Sequence, residues 1–362
     1  MRKPVQVPEG GPGKAIDGGK PVTSSYAAED LRGVVCLRNG IVESFHRVHA
    51  LLVEPSGKVL ASFGCTDLTV VYRSAAKPFQ AIPLVEDGVV DHFGLEPREL
   101  ALAAASHNGE PEHLAGVREI LRRVGCREED LGLGPLLPLG PEAARALLGS
   151  GGPVLPIHNN CSGQHAAMLG LARIHDWPIS SYLEADHPLQ RRMSAEMARF
   201  TGLREADLAT MVDGCGMVAF GAPLHAMAVS FARLGAAASE EEGPRRVLEA
   251  MSGNPFMLGG TERLCTRLAE VTGGRLVGKL GAEGVYGITI RGEGLGFALK
   301  VEDGGIRAGD PAVIRALDEL GLLRPDEADA LHSFRRPEIR SSRGDVVGEL
   351  RGTFSFGGGA SG

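Results

Sequence analysis

The chain has 362 residues, of which 43% are hydrophobic and 23% charged, a balance that excludes a disordered protein and suffices for a sizeable core. The formal net charge is −7, and the sequence carries neither the basic balance nor the basic stripe of a nucleic-acid-binding protein. No apolar run approaches the roughly 18 residues that cross a membrane, and residues 1–20 lack the apolar stretch of a signal peptide. We therefore expect a cytoplasmic protein with no nucleic-acid or membrane partner.

Residues 1–28 and 355–362 are rich in glycine and are predicted to be flexible extensions. Between them we expect a single two-lobed domain, residues 29–354. Strand patterns occupy both ends of this domain, at about 31–72 and 275–351, and helical patterns fill the middle, at about 74–271. The strand patterns are 34–37, 42–53, 58–63, 68–72, 285–290 and 295–301, with a last hairpin near 338–351. The helical patterns are 111–124, 141–148, 162–175, 188–200, 222–234 and 261–271, with one late helix near 311–323.

Strands and helices do not alternate in this order, which argues against a parallel sheet. We expect an α+β domain whose N-terminal and C-terminal strands pair into one antiparallel sheet. The helical lobe is then inserted between them.

Cysteine and lysine are used sparingly. The six cysteines are scattered, with no Cys-x-x-Cys pair, which fits a reducing compartment and argues against a disulfide framework or a four-cysteine zinc finger. Of the 38 basic residues only seven are lysine, so the chain prefers arginine wherever a positive charge is enough. Arginine stays protonated, whereas a buried lysine can lose its proton and act as a base. The lysines in the body of the chain, Lys77, Lys279 and Lys300, are therefore candidates for proton transfer; the alternative is leftover surface lysines.

The first candidate catalytic pair is Ser74 and Lys77, in Ser74-Ala-Ala-Lys77. On a helix, positions i and i+3 share a face, so the lysine amine can reach the serine hydroxyl. A neutral Lys77 could take the proton of Ser74 and create a nucleophile. The strand at 68–72 leads directly into Ser74, which places this serine at a helix N-terminus, where developing negative charge is stabilised. The alternative is a helix-capping serine beside a surface lysine.

Two further motifs follow along the chain, Ser106-His-Asn108 and Lys279-Leu-Gly281. Each alone fits an ordinary turn or strand end. With the first pair they form the series Ser-x-x-Lys, Ser-x-Asn and Lys-x-Gly, which is typical of active-site-serine enzymes of the penicillin-recognising type. Only 32 positions separate Ser74 from Ser106, fewer than we expect in a β-lactamase, so the helical lobe should be arranged differently.

A fourth group joins Cys161-Ser-Gly-Gln-His165 to the later Asp213-Gly-Cys215. Two thiolates with a third ligand could hold zinc, or Cys161 could be a nucleophile at a helix N-terminus. The plain alternative is two buried cysteines near glycine-rich turns. Asp213, in a polar turn, is a candidate acceptor for the ammonium group of an amino-acid substrate.

These motifs resemble the asparaginase II family typified by the rhizobial L-asparaginases, over residues 31–351. The matching stretches are Tyr72-Arg-Ser-Ala-Ala-Lys-Pro-Phe-Gln80, Ser106-His-Asn-Gly-Glu110, His158-Asn-Asn-Cys-Ser-Gly-Gln-His165, Asp213-Gly-Cys-Gly216 and Lys279-Leu-Gly-Ala-Glu-Gly284. Five local matches in the right order are highly specific. The resemblance implies hydrolysis of L-asparagine to L-aspartate and ammonia, a fold like that of serine β-lactamases and Ser-Lys glutaminases, and a homodimer.

The resemblance also implies roles for individual residues. Ser74 with Lys77 matches the nucleophilic pair, and Ser106 with Lys279 matches a second Ser-Lys pair beside it. These four are the expected catalytic residues. The expected substrate-binding residues are Asn108, Asp213, His165 and Gly281.

Cys161 and Cys215 match the thiolates of a zinc site close to the catalytic serines. In the rhizobial pattern the third protein ligand is a lysine, and Gln164 stands at that position here. An amide oxygen is a poor zinc ligand beside a thiolate or a neutral amine. We therefore expect that no cofactor is required, and zinc stays an open alternative at the two cysteines.

The sequence thus predicts an L-asparagine amidohydrolase that works through an acyl-enzyme on Ser74. Three alternatives stay open. One is a serine acyl enzyme acting on glutamine, a peptide or a β-lactam. The others are a non-catalytic amino-acid-binding protein on the same scaffold and a structural zinc protein. Ammonia release, penicillin labelling and unfolding by a chelator separate these readings.

Overall fold

A computed structural model describes residues 33–356. The predicted extension at 1–28 and residues 357–362 of the predicted tail lie outside this part of the chain. The strands are β1 Gly33–Arg38, β2 Ile41–Val53, β3 Val59–Phe63, β4 Thr69–Val71, β5 Ala209–Val212, β6 Val218–Pro223, β7 Leu276–Gly281, β8 Val285–Ile290, β9 Leu295–Val301, β10 Glu338–Arg340 and β11 Val346–Gly352. The α-helices are α1 Lys77–Glu86, α2 Val89–Phe93, α3 Pro97–Ala103, α4 Pro111–Val124, α5 Pro141–Gly149, α6 Ser162–Ile174, α7 Pro188–Thr201, α8 Leu224–Ala237, α9 Glu242–Gly253, α10 Pro255–Leu258, α11 Leu264–Val271, α12 Ile306–Glu319, α13 Pro325–Ala330 and α14 His332–Arg335.

The main sheet has eight strands and is antiparallel throughout. Its order is β10-β11-β1-β2-β9-β8-β7, and β3 pairs with β2 beside this path. The register brings the two ends of the described chain together, because Val34 on β1 lies opposite Gly352 on β11. The predicted α+β class with an antiparallel sheet is confirmed.

Helices cover both faces of this sheet. On one face α8 packs closely, since a Cβ on Gly296 would lie 2.2 Å from the backbone of α8 and one on Gly287 would lie 1.9 Å from the ring of Phe231. On the opposite face α12 packs, and Gly352 lies against the side chain of Arg315. Glycine at these strand positions lets each helix reach the sheet and close the apolar core around it.

A second sheet has three strands in the order β4-β6-β5; β4 falls within the predicted strand 68–72, whereas β5 and β6 lie within the segment predicted to be helical. That prediction was wrong for residues 209–212 and 218–223. Every residue of β5 is exposed, so this strand has no buried face whose periodicity would mark it in the sequence. The helix predicted at 222–234 begins instead at Leu224, because Pro223 still belongs to β6.

Two other predicted helices were misplaced at their starts. The first begins at Leu264 rather than at 261, because Gly260 and Glu262 have φ angles of 104° and 57°, which an α-helix does not allow. The second begins at Ile306 rather than at 311, so Pro311 lies inside the helix and removes one backbone hydrogen bond there.

Apart from α8, which covers a face of the main sheet, the helical lobe packs beside the β7 edge. There β7 contacts the short 3-10 helix Arg73–Ala76 that precedes α1. The motif residues of the sequence meet at this junction. Of the helices within residues 33–356, none has the length and apolar character that crossing a membrane requires.

Candidate active site

The turn that carries Ser74 joins β4 to α1. Tyr72 is fully buried, and its hydroxyl lies 3.0 Å from that of Ser230 on α8, which anchors the start of the turn. Arg73 has a φ of 49°, an uncommon value for a residue with a side chain, and it begins the 3-10 helix. Ser74 is half-buried, and its hydroxyl makes no hydrogen bond to any residue of the range 33–356. This hydroxyl is therefore available to a ligand.

Lys77 is buried at the start of α1, and its amine does not make the predicted hydrogen bond to Ser74. It donates instead to the carbonyl of Ala105 at 2.5 Å, to Cys161 Sγ at 3.2 Å and to Ser106 Oγ at 3.3 Å. An ammonium group has three N–H donors, and these three acceptors use all of them. The three-residue spacing permits a contact between Ser74 and Lys77 but does not by itself produce one.

Ser106 lies between two lysine amines. Its side chain is buried, and its hydroxyl accepts from Lys279 Nζ at 2.9 Å as well as from Lys77. The backbone N–H of Ser106 donates to Leu258 O at 3.1 Å, which holds this segment against α10. Lys279 reaches the site from β7 and also donates to Leu280 O at 2.8 Å. Ser106, Lys77 and Lys279 form one buried cluster, named the Lys–Ser–Lys cluster below.

Burial lowers the pKa of Lys279 to about 7, because a fully enclosed ammonium loses the hydration of its charge. The positive charges of Lys77 and Arg263 lower this pKa as well, while Cys265 opposes them. Near neutral pH a large share of Lys279 is therefore an uncharged amine that can accept a proton.

Asp213 lies in the turn between β5 and β6 and forms an ion pair with Arg73. The guanidinium donates from Nε at 2.9 Å to one carboxylate oxygen and from Nη2 at 3.2 Å to the other. Burial alone would raise the pKa of Asp213, but the hydrogen-bonded Arg73 and the charge of Lys77 hold it below its ordinary value. Because Arg73 directly precedes Ser74, this ion pair places a positive and a negative charge near the Ser74 hydroxyl.

The side chain of Asn108 links the segment that follows Ser106 to the residues that precede α11. Its Nδ2 donates to Glu110 Oε1 at 2.8 Å and to Thr261 O at 2.9 Å. Its Oδ1 accepts from the guanidinium of Arg263 at 2.8 Å. Both donors of the amide are thus engaged within the protein, and the substrate-binding role expected for Asn108 stays a prediction.

Gly281 lies where β7 meets the turn that carries Ser74. A Cβ at this position would lie 2.4 Å from Tyr72 O and 3.4 Å from Ala75 N. Glycine lets the strand lie directly against the turn, so it couples the position of Ser74 to that of the main sheet.

Cys161 and Cys215 are neighbouring buried thiols. The hydrogen bond from Cys215, together with the amine of Lys77, lowers the pKa of Cys161. The same hydrogen bond, together with burial, raises the pKa of Cys215. The two cysteines were expected close to the catalytic serines, and Cys161 lies 3.2 Å from the Lys77 amine that also contacts Ser106.

The donor set at these cysteines does not fit a zinc ion. Gln164, at the position of the third ligand, donates its amide N–H to Gln80 Oε1 at 2.7 Å. Among residues 33–356 no three His, Cys, Asp or Glu side chains are grouped so that they could hold a metal ion. Two thiols and a single amide oxygen, which is a poor zinc ligand, fall short of the donors of a protein zinc site.

His165 lies one turn beyond Cys161 on α6 and is fully buried. Its Nδ1 is 2.6 Å from Tyr182 Oη, while its Nε2 has no hydrogen-bond partner in the described chain. Burial, with the charge of Lys77 adding to it, lowers the pKa of His165 to about 3, so the imidazole is neutral. The charge of Asp213 acts in the opposite direction to that of Lys77 and does not offset the effect of burial on this pKa.

The sequence analysis missed two residues of this site, Arg73 and Tyr182. Arg73 lies inside the first matching stretch, and its charge directly before Ser74 was the available signal. Tyr182 lies in an irregular segment, 17 residues from His165 along the chain, and no local pattern joins the two.

Comparison with known proteins extends this picture to the whole chain. The family model described as L-asparaginase II matches residues 34–352. A search of curated proteins found no match to the chain. The family match spans the main sheet and the helical lobe and includes the entire Lys–Ser–Lys cluster, and the chain therefore belongs to the L-asparaginase II family of asparaginase-like amidohydrolases.

Proposed function

We propose that the protein hydrolyses L-asparagine to L-aspartate and ammonia through an acyl-enzyme on Ser74. The observation that carries this proposal is the Ser106 hydroxyl, held 2.9 Å from the amine of Lys279 and 3.3 Å from that of Lys77. Two buried amines linked through a hydroxyl give a path for a proton, and Lys279, with a pKa of about 7, can accept it. Family membership supports an amide as the bond that is broken.

In the first step Lys77 passes one proton through Ser106 to Lys279 and then accepts the proton of Ser74. This requires the Lys77 amine to exchange the carbonyl of Ala105 for the Ser74 hydroxyl. The Ser74 oxygen attacks the side-chain amide carbon, and backbone N–H groups near the turn stabilise the oxyanion. The proton on Lys77 then passes to the leaving nitrogen, ammonia departs, and water hydrolyses the ester.

The ion pair of Arg73 and Asp213 supports a free α-amino acid as the substrate. Their side chains are 27% and 15% exposed, so an incoming ligand can reach both. An amino-acid zwitterion carries a carboxylate, which a guanidinium can bind, and an ammonium group, which a carboxylate can bind. In this proposal the α-carboxylate binds Arg73 and the α-ammonium binds Asp213.

The fold type, the domain extent and the location of the protein belong to the same proposal. A fold of the serine β-lactamase and Ser-Lys glutaminase type, with one two-lobed domain at 29–354, is supported by the main sheet, which takes strands from both ends of the chain. A cytoplasmic location is supported by the six cysteines, all of which are unpaired.

A homodimer is the proposed assembly, and residues 136–155 support it. This segment contains five exposed leucines, and α5 buries none of its residues. Its charged side chains, Glu142 and Arg145, pair with each other at 2.8 Å, so the surface is neutral and suits a second copy of itself. Light scattering after gel filtration should give twice the chain mass, and Leu148→Glu should shift it toward the monomer. A wild-type monomer would contradict the proposal.

Ammonia release tests the proposed reaction. Wild-type protein, Ser74→Ala and the exposed-surface control Ser239→Ala are each mixed with L-asparagine and, separately, with L-glutamine. We expect release from asparagine by the wild type and by Ser239→Ala, and none by Ser74→Ala. Acid-quenched wild type should carry an aspartyl group on the peptide that contains Ser74.

If the folded wild type releases no ammonia from either amide, the proposed reaction is wrong. Labelling of Ser74 by a penicillin would then favour a penicillin-recognising hydrolase. A rise in melting temperature with asparagine, without ammonia release, would favour an amino-acid-binding protein.

A further inference from the structure

A buried chain of hydrogen bonds runs from the backbone of Gly132 through Tyr182 to His165. The N–H of Gly132 donates to Tyr182 Oη at 2.9 Å, and this oxygen lies 2.6 Å from His165 Nδ1. Tyr182 is 1% exposed and His165 is 0% exposed. Neither side chain belongs to the proton path of the Lys–Ser–Lys cluster, so their arrangement needs an explanation of its own.

Proton accounting decides which nitrogen of His165 carries the hydrogen. The Tyr182 oxygen already accepts a hydrogen bond from Gly132, and its single proton can be donated to His165 Nδ1. In the reverse arrangement, with Nδ1 donating to the tyrosine, the tyrosine proton and the Nε2 lone pair would both be buried without partners. The first arrangement leaves fewer unpaired groups and is therefore the stable one.

The hydrogen of the neutral ring then resides on Nε2. This N–H is a fully enclosed donor that finds no acceptor within the described residues. A buried donor without a partner is rare in folded proteins and points to a ligand or a bound water. The ring lies one helical turn from Cys161, whose thiol contacts the amine of Lys77, and the charges of Lys77 and Asp213 both influence the pKa of the ring.

We infer that Tyr182 is a positioning residue that fixes His165 as the Nε2–H tautomer, so that the ring donates a hydrogen bond to an oxygen of the bound amino-acid substrate. The inference rests on the proposed function for the identity of that substrate. The tautomer itself is a property of the free protein. It can therefore be measured whether or not ammonia is released.

The first test reads the tautomer directly. Two-bond ¹H–¹⁵N spectra of protein labelled at histidine distinguish a protonated ring nitrogen from an unprotonated one, and His165→Gln identifies the signals of His165. We expect wild-type His165 to carry its hydrogen on Nε2 and Tyr182→Phe to show a mixture of tautomers. A wild-type ring protonated at Nδ1, or an unchanged tautomer in Tyr182→Phe, would overturn the inference.

The second test separates binding from chemistry. Tyr182→Phe should raise KM for L-asparagine about tenfold, the effect of losing one hydrogen bond, and change kcat by less than about threefold. His165→Gln keeps an N–H donor that needs no tyrosine, so adding Tyr182→Phe to it should not raise KM further. Additive increases in KM would contradict the inference.

Thr289→Val is the control, because it also removes one buried hydroxyl, which donates to Phe231 O at 2.9 Å, without touching His165. We expect its KM to match that of the wild type. An equal rise in KM in Thr289→Val would mean that the effect is general loosening of the fold. If the wild type shows the Nε2–H tautomer but releases no ammonia, the proposed function fails and the positioning role of Tyr182 stands.

Discussion

The two Ser-Lys pairs of this site are built in opposite ways. Ser106 and Lys279 lie 173 positions apart in the chain, yet their side chains meet at 2.9 Å in the core. Ser74 and Lys77 lie three positions apart, and the Lys77 amine binds other acceptors. The distant pair is enforced by the packing of β7 against the lobe, whereas the local pair is only allowed by its spacing.

The contact between Ser106 and Lys279 exists in the free protein, whereas a contact between Ser74 and Lys77 would form only during the reaction. The buried pair is satisfied before any substrate arrives, and the burial that encloses it lowers the pKa of Lys279. The half-buried Ser74 holds no partner and gains one when chemistry begins. The predictions below test that division, starting with the largest expected effect.

Removing each serine hydroxyl tests the division most severely. Ser74→Ala and Ser106→Ala should both lower kcat for L-asparagine by roughly 10³-fold or more, because one removes the nucleophile and the other breaks the proton path. Stability should differ: Ser74→Ala should stay within about 0.5 kcal/mol of the wild type, and Ser106→Ala should lose about 1–3 kcal/mol, since two buried amines lose an acceptor. Urea unfolding measures both values. Equal stability of the two variants would contradict the division.

Lys279→Met probes the buried amine through pH. The pKa of Lys279 falls from 10.5 to about 7 on folding, so below pH 7 the folded wild type carries a buried charge at a cost. As pH rises from 7 toward 10.5, the folded state gives up this proton before the unfolded state does, and the wild type gains stability. Lys279→Met should therefore be inactive yet more stable than the wild type at pH 6, with the difference shrinking by about 2–3 kcal/mol by pH 9. Urea unfolding at both pH values checks this, and a difference that does not change with pH would rule it out.

Gly281→Ala disturbs the contact between β7 and the turn that carries Ser74. The new Cβ would lie 2.4 Å from Tyr72 O, so the turn that carries Ser74 must move away from β7. We expect kcat to fall about tenfold and stability to fall by about 1–2 kcal/mol, in the range of an overpacked core position. Gly253→Ala is the control, because no atom lies within 4 Å of its added Cβ. Kinetics and unfolding of Gly281→Ala that match those of Gly253→Ala would show that the close approach is unimportant.

Sequence patterns located α4, whose faces are divided between core and solvent, and the short, largely buried apolar strands β8 and β9. The bounds of α4, β8 and β9 coincide with the predicted helix 111–124 and the predicted strands 285–290 and 295–301. The patterns failed at β5, because all of its residues are exposed and burial does not alternate along it. They also misplaced the start of α12, because Pro311, which is typical of the first turn of a helix, lies inside this helix.

The site shows the same limit. The family resemblance implied that Ser106 would pair with Lys279, and the structure brings the two side chains together. The motifs could not predict that Arg73 would bind Asp213, 140 positions away, since that contact depends on how β5 and β6 fold back onto the turn after β4. The orientation of Lys77 was likewise decided by acceptors that only the folded chain brings to it.

The pairing of β1 with β11 affects how the chain folds during its synthesis on the ribosome. Val34 is synthesised well before its neighbour across the strands, Gly352, because the whole helical lobe lies between them in the chain. Contacts of such long sequence separation slow folding, because a very large loop must close before they form. One edge of β1 therefore stays unpaired until β11 has been synthesised, and during that interval the nascent chain is most prone to aggregation and to binding by chaperones.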